Sequence, residues 1–202
     1  MKDDFEFMAR INCDLEARKA ACKVRDILRV GCGPAIIEAG LAEHGFNVTG
    51  LDISGEALGR ALESVRTVAG SAENVGFPDS SFDAVIYVAS LQFIERYKEA
   101  IKQTVRVLRA GGKLLIMLLN LEPDFFKERT RNPASYINKI RHTDLSEIER
   151  AVAEHLPIET EYFLGIKGTR IFQSEDSTVA SLYVINGTCE TRGEIHEIAG
   201  SA

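Results

Sequence analysis

From residue 26 to residue 120, short apolar runs alternate with stretches of helical period. Ile27 to Val30, Val48 to Leu51, Val65 to Ala69, Phe82 to Val88 and Lys113 to Leu119 are strand-sized. Between them, Ala35 to His44 reads as a helix with Gly45 as its stop. Gly55 to Ser64 reads as another, which the Ser54 hydroxyl can cap. Ile94, Tyr97, Ile101, Val105 and Leu108 make a third helical stripe, ended by Gly111-Gly112. The fourth and fifth runs are apolar almost throughout, as strands buried on both faces are. The pattern predicts an α/β fold of the doubly wound kind, a mostly parallel sheet with helices on both faces. Right-handed crossovers then bring the strand carboxyl ends to one edge, where ligands bind in such folds.

The flanks are less regular. Met8, Ile11, Leu15 and Cys22 fall on one side of a helix drawn through residues 5–22, with Arg18 interrupting the stripe. Residues 1–24 therefore read as a helical region packed on the domain. Residues 121–142 are mostly polar and carry Pro123 and Pro133. They are expected to cover the ligand edge and to be more mobile than the sheet. A helix restarts near Thr143 or Asp144, with Leu145, Ile148, Val152 and Leu156 on one side. Two strand candidates follow, Ile158 to Leu164 and Thr178 to Ile185. No repeat or linker divides the chain, so residues 1–202 are expected to form a single domain.

Charge and composition remove several classes. The net charge of −6, from 24 basic and 30 acidic residues, argues against nucleic acid as a partner. No apolar run approaches the ~18 residues of a membrane span. Met1-Lys2-Asp3-Asp4-Phe5 places acids where a secretory leader carries positive charge. A cytoplasmic protein without a membrane partner is expected. Cys13, Cys22, Cys32 and Cys189 form no C-x-x-C pair, and His44, His142, His155 and His196 are scattered. Free thiols and no metal site follow.

The first strand-to-helix turn carries the chemistry. In Val30-Gly31-Cys32-Gly33 the glycines let backbone turn tightly and approach a ligand without a Cβ in the way. Asp52, nineteen residues after Gly33, ends the second strand, where an acid can accept both hydroxyls of an adenosine ribose. Together they point to an adenosine-containing cofactor.

Four ordered stretches resemble the class I S-adenosylmethionine-dependent methyltransferases that act on small molecules. They are Val30-Gly31-Cys32-Gly33, Val48 to Ser54, Phe77-Pro78-Asp79-Ser80-Ser81-Phe82-Asp83-Ala84-Val85, and Arg106-Val107-Leu108-Arg109-Ala110-Gly111-Gly112-Lys113-Leu114. In the last, Ala110 replaces the family's proline. The resemblance implies a seven-stranded sheet with an antiparallel last strand, S-adenosylmethionine as cofactor, and a small-molecule acceptor. It places Gly31, Cys32 and Gly33 along the methionine and ribose, Asp52 on the ribose hydroxyls and Ile53 against the adenine. Ser71 and Ala72 would meet the adenine edge, and Val88 and Ala89 would close the pocket.

Three positions depart from the family. Arg29 stands where an acid helps hold the cofactor's positively charged amino-acid end, Ser71 where an acid follows Gly70, and Ala35 where a third glycine is common. No catalytic dyad is readable, and methyl transfer from a sulfonium requires none. If the acceptor must lose a proton, His142, Tyr136 and Glu73 are the candidate bases, and Gln92 could orient it. Lys127, Arg129, Arg131, Lys139 and Arg141, against the single acid Glu128, suggest a basic lid and an anionic acceptor. Two other readings stand beside methyl transfer. One is a catalytically inactive cofactor sensor or partner subunit. The other is a nicotinamide-dependent oxidoreductase, which lacks the third glycine of its fingerprint because Ile36 stands there.

Overall fold

The computed structural model describes residues 24–62, 65–168 and 170–190. The expected helix through residues 5–22 lies outside them, as do Cys13, Cys22 and His196. One sheet holds eight strands: β1 Asp26–Val30, β2 Asn47–Asp52, β3 Arg66–Ala69, β4 Phe82–Val88, β5 Leu108–Leu119, β6 Ile158–Lys167, β7 Arg170–Phe172 and β8 Ala180–Thr188. Their order is β3-β2-β1-β4-β5-β8-β6-β7. The first five run parallel, while β8 is antiparallel to β5 and β6.

The strand missed by the expected seven is β7, which pairs antiparallel with β6. Its three residues are all exposed, so no alternation marks it. It forms because the chain turns at Gly168, with φ of 61°, and lays the Phe172 ring over Gly165, where any Cβ would strike the ring.

Among the described residues five α-helices accompany the strands: α1 Ile36–Glu43, α2 Gly55–Leu58, α3 Tyr97–Val107, α4 Asp124–Thr130 and α5 Leu145–Ala153. The helix expected over 55–64 is a single turn, α2, capped as foreseen by the Ser54 hydroxyl accepting from Ala57 N–H. Asp144 caps α5 in the same way, through Glu147 N–H. On one face of the sheet, Tyr97, Ala100 and Ile101 of α3 and Ile148 and Val152 of α5 bury Leu28, Val85, Leu114, Ile116 and Ile185. On the other, Leu41 of α1 packs with Ile27, Val48, Ala84 and Ile86.

The amino ends of the strands are stapled by two arginines. Arg106 donates to the carbonyls of Phe77 and Val75 at 2.8 and 2.7 Å, and Ser80 and Ser81 N–H return bonds to the carbonyls of Arg106 and Val107. Arg109 bridges Asp26 and Asp83 at 2.8 and 2.7 Å. Gly112 is required there, because a Cβ would lie 2.7 Å from the Arg109 carbonyl. With that edge closed, the opposite one is left for function. The strand order reverses between β1 and β4, so the crevice of a doubly wound sheet opens beyond Val30 and Val88.

Candidate functional site

Beyond β1 the chain makes a left-handed turn, with φ of 72° at Gly31, 55° at Gly33 and 55° at Ala35. Gly31 and Cys32 N–H both donate to the Leu51 carbonyl, which ties the turn to the end of β2. A Cβ on Gly31 would lie 2.5 Å from that of Ser90, whose hydroxyl donates to the Val30 carbonyl at 2.7 Å. Gly31 is thus needed for the contact between the β1 and β4 ends. At Gly33 a Cβ would meet open space, which is the room a ligand along this turn needs. Ala35 occupies the left-handed position that explains the common third glycine, at a cost of roughly 1 kcal/mol for a residue with a Cβ.

Asp52 is held by two backbone donors, Gly33 N–H at 2.7 Å on Oδ2 and Ser54 N–H at 2.8 Å on Oδ1. Each carboxylate oxygen keeps a lone pair for a hydroxyl. The next residue, Ile53, exposes 81% of its surface. Ser71 and Ala72 are half-buried after β3, and Gly70 N–H donates to the Asp52 carbonyl. Val88 and Ala89 are half-buried at the end of β4, with Ala89 at φ of 49°. All nine residues expected around the cofactor therefore sit at the carboxyl ends of β1 to β4 or in the loops just past them. Cys32 is buried against Gly50, and burial with the nearby Glu38 and Asp52 carboxylates pushes its thiol up to about 12. It is a neutral packing group.

Arg29 does not project to solvent. Its guanidinium is folded under the turn, donating to the carbonyls of Val30 at 2.8 Å and Gly31 at 2.6 Å, and more weakly to Val88 at 3.4 Å. Glu38 of α1 lies 3.4 Å from its Nε, and both side chains are almost fully buried. Burial drives the Glu38 carboxyl upward, against the pull of Arg29. The sequence marked Arg29 as a departure but missed Glu38. The signal was present, since Glu38 lies three residues before Leu41 on the buried side of a helix.

The candidate bases are placed differently. Glu73 is gripped by Arg96, whose backbone N–H donates to Oε1 at 2.9 Å and whose Nη2 reaches Oε2 at 3.0 Å. These bonds hold its carboxyl below the usual range. His142 has Nε2 2.9 Å from the Ile94 carbonyl and its ring against Tyr97. Gln92 is fully buried, accepting from Leu119 N–H and donating to the Leu119 and His142 carbonyls. It is a brace between β5 and the segment at 141–142, not a group facing an acceptor. Of the three bases, Tyr136 lines a cleft.

That cleft, of about 310 Å³, lies between α4 and the β5–β8–β6–β7 end of the sheet. Leu119, Phe126, Leu164, Ile166 and Leu182 give it apolar walls. Arg129 lies over the Phe125 ring, 4.3 Å from its centroid, and Ser181 presents a buried hydroxyl with no hydrogen-bond partner. Phe126 and Ile137 anchor residues 121–142 on Leu119 and Ala89, at the carboxyl edge. The segment is less uniformly basic than its sequence suggests, because Lys127 pairs with Glu122 and Arg141 lies 4.0 Å from Glu95. Among the described residues no helix is long and apolar enough to cross a membrane, and no group of three His, Cys, Asp or Glu could hold a metal.

Residues 28–116 match the family described as Methyltransferase domain. The chain is 31% identical over 118 residues to a demethylmenaquinone methyltransferase of Tropheryma whipplei, covering 51% of this chain and 48% of that protein. It is 31% identical over 119 residues to a ubiquinone biosynthesis O-methyltransferase of Dechloromonas aromatica, covering 55% and 47%. A fatty-acid O-methyltransferase of Mycolicibacterium smegmatis matches at 31% over 106 residues, covering 49% and 39%. The chain thus spans about half the length or less of these curated relatives. In fold it is similar to a SAM-dependent methyltransferase of Thermotoga maritima, with TM-score 0.70 and 20% identity over 83% of each chain. One from Archaeoglobus fulgidus also gives 0.70, at 16% identity over 90% of this chain and 92% of that one. The strand order, the glycine turn and the acid closing β2 are all in register, and through residues 28–116, which match the methyltransferase domain, the chain resembles the class I S-adenosylmethionine-dependent methyltransferases.

Proposed function

We propose that this protein transfers a methyl group from S-adenosylmethionine to a small-molecule acceptor with an apolar body and an anionic or polar group. The observation that carries the reading is the adjacency of two differently built pockets on one edge: a backbone-lined turn with Asp52, and beside Ala89 an apolar cleft with Arg129 at its wall. The adenosyl half of the cofactor fits the first. Gly33 leaves open space, Asp52 keeps acceptor capacity, and Ile53 offers an exposed apolar face.

When bound, the cofactor supplies a methyl group already activated on a sulfonium. The protein's part is positioning and exclusion of water. Asp52 holds hydroxyls through charge-assisted bonds while Gly33 and Ser54 N–H fix its carboxylate. The walls from Leu119, Phe126 and Leu182 desolvate an acceptor, and Tyr136 is the candidate base that shares that cleft with the Ser181 hydroxyl. The relatives named for quinones and a fatty acid act on molecules with long apolar parts, which agrees with such walls. An inactive cofactor-binding protein is the second reading, favoured by the Arg29 guanidinium under the turn.

The test is methyl transfer from S-adenosylmethionine to a medium-chain carboxylate as the probe, in wild type and Arg129→Gln. Turnover in wild type with KM raised about threefold to tenfold in the variant is expected, as loss of one partly exposed charge pair allows. No turnover with this or any quinol-type acceptor, alongside intact cofactor binding, favours the inactive reading.

A further inference from the structure

Three backbone carbonyls, those of Val30, Gly31 and Val88, converge beyond the ends of β1 and β4. Converging carbonyls are what an ammonium group needs, because each of its three N–H donors finds an acceptor. In this chain they already surround a cation. Nη1 of Arg29 lies 2.8 and 2.6 Å from the first two and Nη2 lies 3.4 Å from the third. The charge is oriented as well as placed. Nε faces Glu38 at 3.4 Å, so the counter-charge sits behind the guanidinium while the Nη groups face the carbonyls. Nε and the Glu38 carboxylate meet without a well-formed hydrogen bond, so the guanidinium is fixed by its Nη bonds to the carbonyls, with the carboxylate acting on it through charge. An arginine does not deprotonate to make room for a second cation, and in a poorly hydrated site two like charges repel strongly.

We propose that Arg29 is a built-in replacement for the ligand's α-ammonium, so that the pocket selects adenosine thioethers and sulfoniums without drawing affinity from the amino group. The inference rests on the reading of this pocket as the adenosyl site. It makes position 29 a specificity determinant: ligands with a carboxylate or a bare alkyl group at that end are accepted, and an ammonium is not rewarded. A buried ion pair of this kind adds little stability over apolar residues of similar volume, so it can be exchanged without loss of the fold.

The experiment is calorimetric titration of the wild-type protein with three probes: S-adenosylhomocysteine, its desamino analogue, and 5′-methylthioadenosine, which lacks the whole amino-acid end. The desamino analogue is expected to bind as tightly as S-adenosylhomocysteine or tighter. A preference of more than about threefold for S-adenosylhomocysteine overturns the proposal, since a charged hydrogen bond is worth roughly tenfold or more. In the double variant Arg29→Met with Glu38→Leu, the freed carbonyls should shift the ratio toward S-adenosylhomocysteine by about tenfold, and an unchanged ratio also overturns it. If the variant fails to fold, the wild-type ratio decides alone. If none of the three probes binds wild type, the adenosyl reading itself falls and takes this inference with it. Binding of 5′-methylthioadenosine with a preference for the amino-bearing ligand sinks only the inference.

Discussion

At the β1–β2 end of the carboxyl edge, the groups that would meet a ligand are backbone amides and carbonyls, one carboxylate and the exposed Ile53 side chain, all within a few residues of Gly31 or Asp52. At the β5–β8 end they are side chains from Leu119, Phe126, Leu164 and Leu182, brought together only by the sheet and α4. The first end is fixed by hydrogen bonds that any sequence with the same glycines and acid can make. The second depends on the shape of particular apolar residues. A cofactor shared across a family suits the first construction and an acceptor that differs between members suits the second.

The largest effect should come from removing the anchor of the apolar end. Phe126 is 3% exposed among Leu119, Ile137 and Leu182, so Phe126→Ala should cost about 3–5 kcal/mol of unfolding free energy in denaturant titration. If the two ends are independent, the folded variant keeps its affinity for S-adenosylhomocysteine. Loss of that affinity breaks the comparison.

Asp52→Ala strikes the other end. Charge-assisted bonds to hydroxyls contribute about 1.5–3 kcal/mol each, so S-adenosylhomocysteine binding should weaken at least tenfold by calorimetry, with ~1.4 kcal/mol per factor of ten. Thermal stability should fall less, because Gly33 and Ser54 N–H are near solvent and can bond to water. Unchanged affinity would mean that the turn holds the ligand without its carboxylate.

The smallest effect tests whether either end is felt at the opposite edge. Desolvation works to raise the Asp83 carboxyl, but Asp26 N–H, the Arg109 guanidinium and Arg25 N–H together hold it below the usual carboxylate range. A folded pKa below the unfolded value means stability that is present above the unfolded value and lost as pH falls through the folded one. Acid titration of stability should therefore show a component disappearing below about pH 4, where an ordinary aspartate titrates. Asp83→Asn should remove it, costing about 1 kcal/mol at pH 7 and leaving both pockets' affinities as they were.

Much of the parallel sheet was legible because its signals are local. β4 begins and ends where the apolar run does, and Gly31, Gly33 and Asp52 announce a turn and a strand end within a few residues. The two longest family-like stretches prove to be structural. Arg106 and the carbonyls of Arg106 and Val107 bind the Phe77 to Ser81 loop at the amino edge, far from the crevice. The rest was hidden because it is non-local or contrary to pattern. Gln92 read as a group that could orient an acceptor, yet it braces Leu119, twenty-seven positions away. The cleft joins Leu119 to Leu182 and Leu164 across two antiparallel pairings, β5 with β8 and β8 with β6, and no window of sequence contains all three.

The Cys32 thiol nestles into the hollow left by Gly50, where a Cβ would come within 2.8 Å of its sulfur. With its titration pushed up to about 12, almost no thiolate exists at neutral pH, and thiolate is the species that alkylating agents and oxidants attack. The cysteine is chemically silent while the turn is closed. Were the segment from Gly31 to Ala35 to lift off β2, the thiol would leave the burial that raises it. Residue-resolved labelling of Cys32 over time is therefore a clock for that opening, and a ligand seated on the turn should slow the clock without touching the sulfur.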